Sequence, residues 1–198
     1  SAIINDSVPG YGNGMYAVQR FSVPVRSARG TPHPCENSFV DPFYKSSEYC
    51  GVCHEVSNPY LSENARHTAP HLQVTMERTY SEWKLSWFAT RGEAGTCQSC
   101  HMKRKVGKGS SLPGIRERLD IASHSFSGGN TFAPRSVHKR WSGVNSIAIE
   151  KGLHEANEIL REAATLEVVA GRESDSVVAY VRVTNLTGHK LPTGFPEG

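Results

Sequence analysis

What this chain lacks is apolar bulk. Only 37% of its 198 residues are hydrophobic and 9% aromatic, while 18 glycines and 11 prolines interrupt its periodic patterns. No apolar run approaches the roughly 20 residues needed to cross a bilayer. A polypeptide this polar and loop-rich struggles to offset its ordering entropy with its own side chains, so an apolar core from outside the polypeptide is implied. Charge of one sign is missing too: 22 basic residues nearly balance 19 acidic ones, leaving a formal +3. The basic side chains gather in residues 103–108 and 135–140 without the broad face and interleaved aromatics that nucleic acid requires. They read as solvated loops. The chain opens on Ser1-Ala2-Ile3-Ile4 with no basic, apolar leader, as expected of an exported protein whose signal peptide has been removed.

Cysteine is scarce as well, five in all, yet four of the five fall in two matching frames. Cys50-Gly51-Val52-Cys53-His54 and Cys97-Gln98-Ser99-Cys100-His101 are complete C-x-x-C-H units. Two thiols at that spacing can form thioethers to the vinyl groups of one haem, and the His that follows lies under the iron as an axial ligand. The same cysteines could hold tetrahedral zinc or act as redox dithiols, but neither needs a His after each pair. A zinc ribbon separates its pairs by roughly 15–20 residues; residues 54–96 are more than twice that span. The expectation is two covalently bound c-type haems (iron), with Cys50, Cys53, Cys97 and Cys100 as thioether donors and His54 and His101 as proximal ligands. Such attachment occurs outside the cytoplasmic membrane, so a periplasmic or extracellular location is expected. Cys35 is left over, either free and buried or paired with another chain.

Three regions are expected: an irregular N-terminal arm over 1–45, with a short strand available in 16–25; a dihaem-binding region over 46–145; and a helix, β-hairpin and Gly/Pro-rich tail over 146–198. Within the second, Thr79-Tyr80-Ser81-Glu82 has capping-box spacing, and Tyr80, Trp83 and Trp87 recur at helical intervals, predicting a helix of about three turns. Residues 103–145 read as loop-rich, with a short helix available over 115–123. Residues 146–164 carry the best amphipathic pattern. Strands are expected over 166–170 and 177–185 around a polar turn. No internal sequence repeat extends beyond the two motifs. The fold class expected is haem-cored, loop-rich and mainly α, with a small C-terminal antiparallel β element and little regular secondary structure.

Each iron needs a ligand on its other face. Met15 and Met76 lie in no distinctive setting, whereas seven histidines remain outside the motifs, so two bis-His haems are the economical reading. His124 sits in a loop whose glycines permit close approach to a flat ring. His33 is held between Pro32 and Pro34 on a stiff extended segment. His189 follows Gly188 and precedes Pro192 and ranks third. His154 belongs to a charged helix face, and His67, His71 and His138 read as surface histidines.

The segments EYCGVCHEVSNP, YSEWKLSWF followed by GTCQSCHM, SHSFSGGN and VTNLTGHKLPTGFPEG, in that order, resemble a large group of bacterial and archaeal multihaem c-type cytochromes. The resemblance spans most of residues 33–198. It implies a distal-ligand role for His124, the His of its SHSFSGGN segment, and makes His33 the second. Typical members carry more than two haems, continue a sheet beyond a segment such as GHKLPTGFPEG, and in some cases polymerise into extracellular haem filaments.

Residues and resemblance together lead to an electron-transfer relay rather than an enzyme. Two imidazoles close each iron, and without an axial Met a low potential is expected. The partners expected are redox proteins or further copies of this chain in a homopolymer, with no nucleic acid and no transmembrane segment. The alternative is a haem oxidoreductase with one open iron, acting on a small nitrogen, sulfur or oxygen species.

Overall fold

A computed structural model describes residues 2–3, 12, 14, 17–18, 25–27, 38–58 and 74–194 of the chain. His33, Cys35, His67, His71 and Met15 lie outside the described residues. The N-terminal region contributes two small ladders. Strand β1 (Ala2–Ile3) pairs antiparallel with β2 (Ala17–Val18), and β3 (Val25–Ser27) pairs parallel with β4 (Ser38–Val40).

The remainder is built from two similar units. In the first, helix α1 (Ser47–Gly51) carries Cys50, and the turn after it, with Cys53, leads into an antiparallel ladder of β5 (Val56–Asn58) and β6 (Val74–Glu77). In the second, helix α3 (Cys97–His101) leads into a ladder of β7 (Arg104–Lys108) and β8 (Glu117–Ala122). Both ladders shift register near their start, after Val56 in one and after Lys105 in the other. A bulge at that point bends the strand away from the helix it follows. The repetition therefore extends past the C-x-x-C-H frames into three-dimensional structure, although nothing in the two sequences repeats there.

Between the units lies α2 (Thr79–Lys84), followed by 3₁₀ turns at Trp87–Thr90 and Gly92–Gly95. Helices α4 (Phe132–Arg140) and α5 (Ser146–Glu162) then lead to a hairpin of β9 (Ala164–Glu173) and β10 (Ser176–Asn185). Asn145 caps α5, its side chain accepting from the Ala148 N–H at 3.2 Å, which leaves one fewer orphan donor at that end.

The expected mainly α class is overturned. Among the described residues, ten strands in five two-stranded sheets stand beside five α-helices, and only α5 exceeds nine residues. Residues 103–145 are about half loop, as expected, but they also hold β7, β8 and α4. The helix expected over 115–123 is strand β8, because Leu119 and Ile121 alternate with Arg118 and Asp120 on a period of two. The three-turn helix ends after six residues and tightens into 3₁₀ geometry. Its capping box does not form: Arg78 occupies the cap position, while Thr79 and Glu82 bond elsewhere. The 146–164 helix and the C-terminal hairpin are found where their periodicities lie, the strands longer than expected.

The core is as thin as composition implies. Among the described residues the only buried hydrophobic side chains are Val52, Tyr80, Ala156 and Ala163. Leu85, Trp87, Phe126 and Trp141 are exposed. One face of the hairpin gathers the exposed Leu166, Val168, Val181 and Val183, while its other face carries the Glu167–Arg182 ion pair at 3.2 Å.

Candidate haem-binding site

The two cysteine pairs meet. Ser47, buried at the start of α1, accepts from the Cys97 N–H at 3.0 Å, and the Gln98 side chain donates to the Ser46 carbonyl at 2.6 Å. These bonds set α1 against α3 and bring the Cys50 and Cys97 thiols together, Cys50 donating to Cys97. That bond, then burial, raises the Cys50 pKa, while the same bond lowers that of Cys97 to about 7. Cys53 and Cys100 are exposed. Gly51, between the first two cysteines, is needed for packing, because a Cβ there would stand 2.6 Å from the Tyr80 ring.

His101 is the best-defined candidate ligand. Its Nδ1–H donates to the Ser127 carbonyl at 2.6 Å. A carbonyl has no proton to give, so the proton is on Nδ1 and the Nε2 lone pair is bare. Burial, with His189 and His54 adding to it, lowers the pKa of this ring against the opposing pull of the Ser127 carbonyl, which favours the neutral form that binds metal. The Ser127 loop is held from α5: Ser127 Oγ donates to Glu155 at 3.2 Å, and Gly129 lies where a Cβ would be 3.0 Å from Leu160.

The ring of His189 faces that of His101, the centroids 6.2 Å apart and the planes inclined by 22°. Its Nδ1–H donates to the Lys190 carbonyl at 2.9 Å, so its Nε2 is bare as well. Two metal–imidazole bonds of about 2 Å plus two ring radii of roughly 1.2 Å sum to about 6 Å between ring centres. The separation is that of a stacked ring pair and would also suit one metal ion held between the two imidazoles. The loop bearing His189 is pinned to α2. Glu82 accepts from the Lys190 N–H at 3.0 Å and from Thr193 Oγ1 at 2.7 Å, and the Thr79 and Thr193 hydroxyls lie 3.0 Å apart. Gly188 packs against Trp83 and Phe88, and the Asn185 amide and Thr187 hydroxyl both donate to the His189 carbonyl.

His54 is bound from a different direction. Its Nδ1–H donates to Glu77 Oε1 at 3.1 Å, a carboxylate that is itself 9% exposed and accepts from Thr79 Oγ1 at 3.1 Å. Beside it, Glu55 is paired with Arg78 at 3.3 Å and accepts from the Ser81 N–H and hydroxyl. Among the described residues, no ring is set against His54 as His189 is set against His101.

The structure thus brings His101 and His189 together and joins the two cysteine pairs. It does not bring His124 to either proximal His: that ring is exposed and meets Phe126 edge-on at 5.8 Å. His138 is exposed on α4, and His154 pairs with Glu158 at 3.4 Å on the solvent side of α5. Sequence reasoning missed Glu77, Glu82 and Ser127, whose roles arise from contacts far along the chain. Met76, at 45% exposed, carries no packing role that would set it apart.

The donor set fits haem. Thiol pairs at one-haem spacing, a bare-Nε2 imidazole after each, a second imidazole at through-iron distance from one of them and a scarcely filled core all agree with it. Among the described residues no three His, Cys, Asp or Glu side chains gather as a bare ion would require. No helix among them is long and apolar enough to cross a membrane. No family model, curated protein or solved structure matches the chain.

Proposed function

We propose that the protein is a dihaem c-type cytochrome that relays electrons. The observation that carries this reading is the pairing of His101 with His189, two Nδ1-anchored imidazoles 6.2 Å apart at the end of a C-x-x-C-H helix. Cys50 and Cys53 would hold one haem and Cys97 and Cys100 the other, and haem so held supplies reversible one-electron exchange between ferric and ferrous iron. The residues do the rest. His101 and His189 would offer their Nε2 lone pairs, the Ser127 and Lys190 carbonyls fix their tautomers, and Glu82 holds the loop that carries the second ring. His54 would offer the corresponding lone pair in the first unit, with His33, or His124 once moved from its place beside Phe126, as its distal partner. Contact between Cys50 and Cys97 sets the two attachment sites side by side, the arrangement a relay needs.

The resemblance to multihaem c-type cytochromes supports the same reading and adds export to the periplasm or cell exterior, redox-protein partners and assembly with copies of itself. Mass spectrometry of the purified polypeptide tests it: two covalent haems are expected, with visible and EPR spectra of six-coordinate, low-spin iron. A polypeptide without added macrocycles, or one loaded with zinc, overturns it.

A further inference from the structure

The two proximal histidines are held by unlike groups. Behind His101 stands a neutral backbone carbonyl; behind His54 stands a buried carboxylate. Both accept the Nδ1 proton and leave Nε2 as the ligand atom. A carboxylate draws that proton harder, which makes the ring a more basic ligand, and it brings a negative charge within 3.1 Å of the ring, which solvent around the 65%-exposed His54 side chain screens only in part because the carboxylate itself is 9% exposed. Both effects favour the ferric over the ferrous state, and hydrogen bonding around the ligands is a recognised lever on haem potential. Position reinforces the chemistry. Glu77 closes strand β6, and the Thr79 hydroxyl donates to the same oxygen that accepts from His54, so the carboxylate is oriented rather than free to swing. The other acid nearby, Glu55, is matched with Arg78 and the Ser81 donors.

We infer that Glu77 is a positioning residue that sets the haem on His54 at a lower potential than the haem on His101, so the relay is asymmetric. The inference rests on the dihaem reading, and its test is separable from the test of that reading. Holoprotein is first shown by mass to carry two haems and by EPR to be low-spin; failure there removes the dihaem reading itself. Spectroelectrochemical titration of Glu77→Gln is then expected to raise the lower midpoint potential, leave the upper one in place and narrow the gap between them. Glu77→Asp, which keeps the charge, restores most of the gap. Thr79→Val removes a donor that quiets the carboxylate and shifts the lower midpoint the opposite way, downward. Because that variant leaves Glu77 intact, it tests the idea even where Glu77→Gln does not fold. If the two midpoints move together, or neither moves in variants that still bind two low-spin haems, the assignment of Glu77 is overturned.

Discussion

The two C-x-x-C-H units follow one plan and diverge in what stands behind it. Each is a five-residue helix running into a bulged antiparallel ladder, and in each the chain beyond the return strand supplies or borders the group that anchors the histidine. In the first unit that group is Glu77, the last residue of the strand itself. In the second it is the Ser127 carbonyl, on a loop braced by α5. The first unit buys its anchor with charge, the second with a separate helix. Ligand geometry can thus be conserved within one chain while the electrostatics of its two halves are allowed to differ.

Removing one pair of the proposed thioether cysteines breaks the comparison most severely. Cys97→Ser with Cys100→Ser is expected to lower the mass by one haem and remove the spectrum belonging to the second unit, with the first retained; loss of both haems would show that the units do not mature separately. Next in size is His189→Ala, which should turn one haem from low-spin to high-spin in EPR while the other is unchanged. His189→Met should instead keep six-coordination and raise that haem's potential. An unaltered spectrum in both variants would remove His189 from the iron. His33→Ala and His124→Ala are expected to affect only the haem on His54, with one of the two producing the high-spin signal there, which identifies the ligand.

Smaller effects concern packing. Gly51→Ala drives a methyl group into Tyr80, and Gly95→Ala drives one into the Phe88 carbonyl, where backbone cannot yield cheaply. Each is expected to cost about 1–3 kcal/mol in denaturant unfolding of the holoprotein. Trp83→Phe removes the indole N–H bond to the Gly95 carbonyl, 2.7 Å long, that ties α2 to the turn before α3. It should cost about 1 kcal/mol and leave both haem spectra alone.

What could be read beforehand divides by distance along the chain. The C-x-x-C-H frames, the 146–164 helix and the C-terminal hairpin are local patterns, and each was legible. Strand β8 was misread as a short helix, although the alternation of Leu119 and Ile121 with charged neighbours is a strand signal. Strand β7 was hidden because Arg104, Lys105 and Lys108 read as a solvated run, although charged residues are a common guard on exposed strands. Thr79 and Glu82 have capping-box spacing, yet their hydroxyl and carboxylate are drawn to Thr193 and Lys190, more than a hundred residues away. The same long-range pull brings His189 to His101, which no local pattern announces.

The closing bond of the C-terminal hairpin has a consequence for how this chain could vary. Leu186 N–H donates to the Ala163 carbonyl at 2.9 Å, directly below the first rung between Ala164 and Asn185. The excursion through β9 and β10 leaves and rejoins the body at one point, like a siding off a railway line. Rungs can be added or deleted at its far end, around Ser174 and Asp175, while the track that delivers His189 keeps its alignment.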